Sequence, residues 1–172
     1  LLEKILSAAR NLVNADAGTI YIKNGNTLKF SHTQNDTFQK RLPPGKKLIY
    51  QTFAVPINHH SLAGYAASTG ETLDISDVYQ INPDRVPYAF DRSYDEKTYY
   101  RTQSVLTIPL KNNQSRVIGV MQLINAQNEQ GHVVPFVKND LPLVRIFANN
   151  AALALERAGL GDDLLGIGGE GA

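Results

Sequence analysis

Two runs of β-branched and aliphatic residues, 104–110 and 117–124, flank a polar stretch at 111–116. That pattern predicts a β-hairpin whose loop is longer than the tightest turns. In the first run Val105 and Thr107 alternate with Leu106 and Ile108. In the second, Val117, Gly119, Met121 and Leu123 alternate with Ile118, Val120, Gln122 and Ile124. Both faces are mostly apolar, so both are expected to be covered, as in strands at the centre of a sheet. Gln122 is the exception: an unpaired amide in a buried strand costs about 1–3 kcal/mol. A neighbouring loop or a pocket would have to accommodate it.

Elsewhere the periodicity changes. Leu2, Ile5, Leu6, Ala9, Leu12 and Val13 recur at helical spacing, predicting a helix over 1–15 that ends at Asn14 and Asp16. Residues 19–23 and 27–33 read as strands joined at Asn24-Gly25. Residues 34–47, with Pro43-Pro44-Gly45, read as an exposed loop, and 48–57 as an edge strand or strand end because of Pro56. Ser61 is placed to cap a short helix over 62–68 that Gly70 closes, and 71–75 is extended. Residues 76–101 are irregular and rich in tyrosine and carboxylates, the profile of a functional loop or lid. A polar loop at 127–134 follows the hairpin. Asp140 is placed to cap a last helix from 141 to about 158, with Pro142 in its first turn. Leu141, Leu143, Val144, Ile146, Phe147, Ala151, Ala152, Leu153 and Leu155 surround almost its whole girth. Its second apolar face is therefore expected to meet either the first helix or a second copy of the chain. The sum is an α+β architecture with an antiparallel sheet and segregated helices, one domain over 1–158. Residues 159–172 are expected to be a flexible Gly-rich tail or linker.

Composition narrows the function. A chain of 172 residues suits one domain with a substantial core. Lys+Arg 17 against Asp+Glu 16 gives no support for nucleic acid or an anionic membrane surface as partner. The absence of cysteine excludes disulfides, thiolate catalysis and thioether attachment of a chromophore. No apolar run reaches the roughly 20 residues of a membrane span. A cytoplasmic fragment of a longer protein is expected from the opening Leu-Leu-Glu and the lack of a visible signal peptide.

Residues 61–78, SLAGYAASTGETLDISDV, and 99–126, with the pattern YRT…S…L…PL…GV…L.N, resemble a GAF domain, the small-molecule-sensing module of phytochromes, cyclic-nucleotide phosphodiesterases and many bacterial signalling proteins. With the flanking helices the resemblance covers residues 1–158. It implies a six-stranded antiparallel sheet with terminal helices on one face and a ligand pocket with short helices on the other. Cyclic-nucleotide-binding members carry a signature that Asn125, Phe136 and Asp140 match; Ala126 and Leu141 stand where it has lysine and glutamate. Without cysteine, neither a covalent bilin nor the free methionine sulfoxide reductase activity of this fold is available.

Two sites follow. The first turn at Ser61, Leu62, Ala63 and Gly64 offers unpaired N–H groups for an anion, though Ser61 and Gly64 also suit simple capping and packing. A flat-ring pocket is expected from Thr19, Tyr79, Phe90, Tyr94, Asp95, Thr98, Tyr99 and Gln122, which combine aromatic faces with in-plane donors and acceptors. The alternative is tyrosines that only pack the lid. Asp95-Glu96 has no nucleophile or base beside it, so no catalysis is expected. His59-His60 project to opposite faces of an extended segment, so no metal is expected; the resemblance leaves a haem open. The reading is a non-catalytic sensor of a bacterial-type signalling protein. It binds a cyclic nucleotide or other heterocycle non-covalently, forms a homodimer through its terminal helices, and controls an output domain in cis. The competing reading is a ligand-free dimerisation module.

Overall fold

The computed structural model describes residues 1–48 and 54–161. The expected hairpin is at its centre, as β5 (Val105–Lys111) and β6 (Val117–Gln127), paired from Val105↔Ile124 to Lys111↔Val117. On the other side of β6 lies β1 (Ala15–Asn24), followed by β2 (Thr27–Asn35), β3 (Ala54–Pro56) at one edge and β4 (Leu73–Ile75) at the other. The order is β3–β2–β1–β6–β5–β4, every pair antiparallel. A two-residue strand, β7 (Val133–Val134), adds to the end of β6. In the β1–β2 turn, Asn24 pairs with Thr27, leaving Gly25 and Asn26 as the loop. Gly25 takes φ +60° at the first loop position, the arrangement of a II′ turn rather than the Asn-Gly placement of type I′.

The hairpin's alternation sorts its side chains onto two faces. Ile20, Leu106, Ile108, Met121 and Leu123 pack against α1 (Leu2–Val13) and α5 (Leu141–Arg157). From α1 come Ile5, Leu6, Ala9 and Val13; from α5, Val144, Ala148, Ala151, Ala152 and Leu155. The first helix therefore covers one apolar face of the last. Leu143, Ile146 and Leu153 on the other face stay exposed, Ile146 at 55%. The opposite side of the sheet carries two smaller clusters. One is Tyr21, Leu28 and Val120 with Ala63 and Ala67; the other is Val105 and Leu73 with Leu62, Tyr65 and Val78.

The short helix α3 (Leu62–Thr69) starts at Ser61, whose Oγ accepts from Gly64 N at 3.0 Å, and ends at Gly70 in the left-handed region. Two expectations fail. Residues 34–47 are not loop throughout: α2 (Asp36–Arg41) forms there because the Asn35 side chain accepts from Phe38 N at 2.9 Å. Asp140 makes no side-chain cap. It is already helical, at φ −82° and ψ −17°, as the last residue of a 3₁₀ turn (Lys138–Asp140) that runs into α5. The irregular stretch 76–101 holds a 3₁₀ turn (Val78–Gln80) and α4 (Ser93–Thr98). Of the edge segment expected over 48–57, residues 49–53 lie outside the described residues, as does the Gly-rich tail from 162 onward. Among the described residues no helix is long and apolar enough to cross a membrane.

Candidate functional site

A cavity of about 830 Å³ opens on the sheet face away from α1 and α5. Its floor follows from register. Thr33, Thr19, Gln122 and Thr107 are directly paired across β2, β1, β6 and β5, so one polar row crosses four strands in an otherwise apolar face. Gln122 Nε2 donates to Thr107 Oγ1 at 3.1 Å, which occupies one of its two N–H groups. Thr33, Thr19 and Gln122 line the cavity, whereas Thr107 is fully buried behind them. Tyr21, Phe30, Val105 and Ile124 supply the apolar part of the floor. Burial raises the Tyr21 phenol well above its ordinary value, so it stays a neutral donor.

The walls come from three elements. Ser61, Leu62 and Ala63 bring the start of α3, whose first-turn N–H groups have no acceptor within the helix. Phe38 of α2 packs edge-on against Tyr100 at 5.3 Å, and both rings face the cavity. Phe90, Asp91, Ser93, Tyr94, Asp95 and Lys97 form the lid side. The Asp91 carboxyl is held below its usual range because it accepts from Ser93.

Thr19, Ser61, Leu62, Ala63, Phe90, Tyr94, Asp95 and Gln122 are thus brought together around one space. The other four residues named from sequence are not among its lining. A Cβ built on Gly64 would come within 2.6 Å of the carbonyl oxygens of Pro56 and Asn58, so its bareness serves the packing of α3 on β3. Tyr79 is outside that lining, and the guanidinium carbons of Arg92 (4.8 Å) and Arg101 (4.1 Å) both lie over its ring. Thr98 turns its hydroxyl back to Tyr94 O. Tyr99 takes φ +54° at the end of α4 and is 88% exposed. That left-handed residue reverses the chain, so Tyr100 and not Tyr99 turns inward.

Two buried carboxylates tie the lid down. Asp95 accepts from Tyr79 Oη (2.6 Å), Thr102 N (2.8 Å) and Thr102 Oγ1 (2.7 Å). Asp16 accepts from Tyr100 Oη (2.8 Å) and Thr37 Oγ1 (2.6 Å). Asn125, at φ +59°, accepts from Gln103 N and donates to Tyr100 Oη and Arg101 O. The matching signature residue therefore anchors the return from the lid. Phe136 is in the core beneath α5, and Ala126 is buried opposite Val134. Sequence reasoning passed over Tyr21, Phe30, Phe38, Tyr100 and Thr33. Thr33, Tyr21 and Phe30 have a signal in strand pairing, since Thr33 pairs with Thr19 and Phe30 with Tyr21; Phe38 and Tyr100 lie outside the strands and have none. Among the described residues no group of three or more histidines and carboxylates could hold a metal, and the His59 ring packs edge-on against Tyr65.

Comparison with known proteins places this geometry. A stretch of 93 residues is 40% identical to the Drosophila melanogaster protein named dual 3′,5′-cyclic-AMP and -GMP phosphodiesterase 11, covering 54% of this chain and 6% of that protein. A Caenorhabditis elegans protein named probable 3′,5′-cyclic phosphodiesterase pde-5 is 29% identical over 167 residues, 94% of this chain and 21% of that protein. The chain thus spans at most about a fifth of either relative. Among solved structures, residues 122 to 287 of a methyl-accepting chemotaxis protein superpose with TM-score 0.66 at 16% identity, covering 95% of this chain and 89% of that one. The GAF domain of an Acinetobacter phosphoenolpyruvate-protein phosphotransferase gives 0.65 at 11%, covering 92% and 81%. These two likenesses show the fold. The family model for the GAF domain matches residues 1–155, and the chain belongs to the GAF family.

Proposed function

We propose that this chain is a non-catalytic regulatory module whose cavity binds a cyclic nucleotide or a related flat heterocycle without covalent attachment. The observation that carries this reading is the polar row of Thr33, Thr19 and Gln122 on the floor of an aromatic-walled space. A heterocycle needs a stacking face and in-plane partners, and Phe90 and Tyr94 stand beside those amide and hydroxyl groups. An anionic group on the same ligand would meet the first-turn N–H groups of Leu62 and Ala63 and the positive end of α3. The cyclic phosphodiesterases that the chain resembles support this ligand class.

Asp95, Thr102 and Asn125 join the lid to β5 and β6, so occupancy would favour the closed lid and bias the packing of α1 and α5. An output domain in cis, such as a phosphodiesterase, cyclase or kinase, would read that bias. The ligand can shift the balance only by its difference in affinity between the two states. The uncovered stripe Leu143, Ile146 and Leu153 supports a homodimer through α5, and a cytoplasmic setting fits the whole. A thermal-shift screen with cyclic nucleotides, purines, tetrapyrroles and small acids tests the reading. A bound ligand raises stability by RT ln(1 + [L]/Kd), and a hit lost in Q122A is the expected result. A flat panel would leave only the dimer.

A further inference from the structure

The α2 helix has six residues and buries none of its side chains. A helix so short is not stable by itself in water, so its population is set by what its side chains hold. Its first three residues hold three different places. Asp36 pairs with Arg10 of α1 at 2.8 Å, and Thr37 Oγ1 donates to the buried Asp16 carboxylate at 2.6 Å. Phe38 faces the cavity, edge-on to Tyr100, whose Oη donates to the same Asp16 oxygen.

Arg10 receives this arrangement on the side of α1. It is buried, and Asp36 is the only carboxylate paired with it among the described residues. Its other acceptors, Ala15 O, Asp16 O and Gln34 Oε1, are neutral. Unwinding α2 would leave the buried guanidinium without its counter-charge, a less favourable seat for α1. The cavity through Phe38 and the first helix through Asp36 therefore bias one small element. An element with two arrangements, biased from two places, is what coupling between them requires, and such coupling is reciprocal.

We infer that α2 is a two-state clasp between the cavity and α1. Formed, it completes the cavity wall and pairs Arg10; unwound, it releases both. A ligand packed against Phe38 favours the formed state and so holds Arg10 in place. This route to α1 is separate from the ties that Asp95, Thr102 and Asn125 make to β5 and β6. Its regulatory use rests on the reading that the cavity takes a ligand, whereas the coupling itself does not.

K40G in the whole 172-residue chain tests the clasp. Lys40 is exposed and stands outside the cavity lining and the Arg10–Asp36 pair. Glycine there acts through helix propensity alone and should raise the unwinding of α2 about threefold, read as exchange of the Phe38 and Leu42 amides. The Arg10 ε N–H and the Tyr100 ring resonances should shift with it, and D36N should shift the Tyr100 ring in the same direction. Faster exchange with the Arg10 and Tyr100 signals unmoved overturns the inference, as does unchanged exchange in K40G. Cyclic AMP and cyclic GMP are then added to the unmodified chain. One that binds should slow Phe38 exchange and move the Arg10 signal opposite to K40G; binding without that movement also overturns the clasp. Binding of neither contradicts the proposed ligand class, and the K40G result then decides the clasp alone.

Discussion

Asp95 holds three donors from two residues, Tyr79 and Thr102, and it does so in a buried place with no cation paired to it among the described residues. Hydrogen bonds to a charged acceptor contribute about 1.5–3 kcal/mol, so D95A should lower the unfolding free energy by an amount in that range, read as a lower urea midpoint at unchanged slope. Its donor Tyr79 is the complementary case. Burial first, then the bond to Asp95, pushes the phenol from 10.0 up to about 12. A folded-state value above the unfolded one means that the folded protein holds the proton longer. That stabilisation is complete below pH 10 and is lost as pH rises through about 12. Alkaline unfolding curves should therefore flatten between pH 10 and 12 in Y79F. Tyr21 and Tyr100 are raised in the same direction, mainly by burial. Absorbance titration at 295 nm should accordingly show a class of phenols that ionises only as the chain unfolds.

Elements meet through a few residues whose roles differ sharply from their neighbours'. Arg10 leaves α1 to donate to Ala15 O, Asp16 O and Gln34 Oε1, and it pairs with Asp36 at 2.8 Å. Its side chain is 10% exposed and that of Asp36 is 61% exposed. Asp36 can regain water when the pair is broken, so D36N should cost about 0–1 kcal/mol. R10A strands two buried acceptors, Ala15 O and Asp16 O, while Gln34 Oε1 keeps its bond from Ser7 Oγ; it should cost about 1–3 kcal/mol or more, measured by denaturant unfolding. At α3, G64A must displace two backbone oxygens, and overpacking of that kind costs about 1–3 kcal/mol. Most element positions were legible in the sequence, since alternation and helical spacing are local signals. The α2 helix was not, because six residues with no buried side chain carry no periodic stripe and depend on one Asn35 cap. Asp140 misled for the opposite reason: the residue type suits a cap, but its backbone was already helical.

At the scale of the whole molecule, the sheet is sheltered by two helices on one flank and by a partly hollow, aromatic-walled layer on the other. Its two apolar faces could be read from the hairpin alone. The lining of the hollow could be read only in part, because it depends on which strands are neighbours. Thr33 joins Thr19 and Gln122 through pairing, Phe30 likewise joins Tyr21, and one left-handed residue decides between Tyr99 and Tyr100. The exposed stripe on α5 belongs to this scale as well. If it joins two copies, I146E should shift sedimentation equilibrium from dimer to monomer while changing the unfolding free energy of the monomer by no more than about 0.5 kcal/mol.

A heterocyclic ligand received in the hollow flank would close the segment from Phe90 to Thr102 over itself. Amide hydrogen exchange with and without a saturating cyclic nucleotide tests this most directly. Slowed exchange is expected in the first turn of α3, along residues 90–102 and at Gln122, with a smaller change in α1 and α5. Unchanged exchange around the chamber, across cyclic AMP, cyclic GMP and the purine nucleotides, would contradict it.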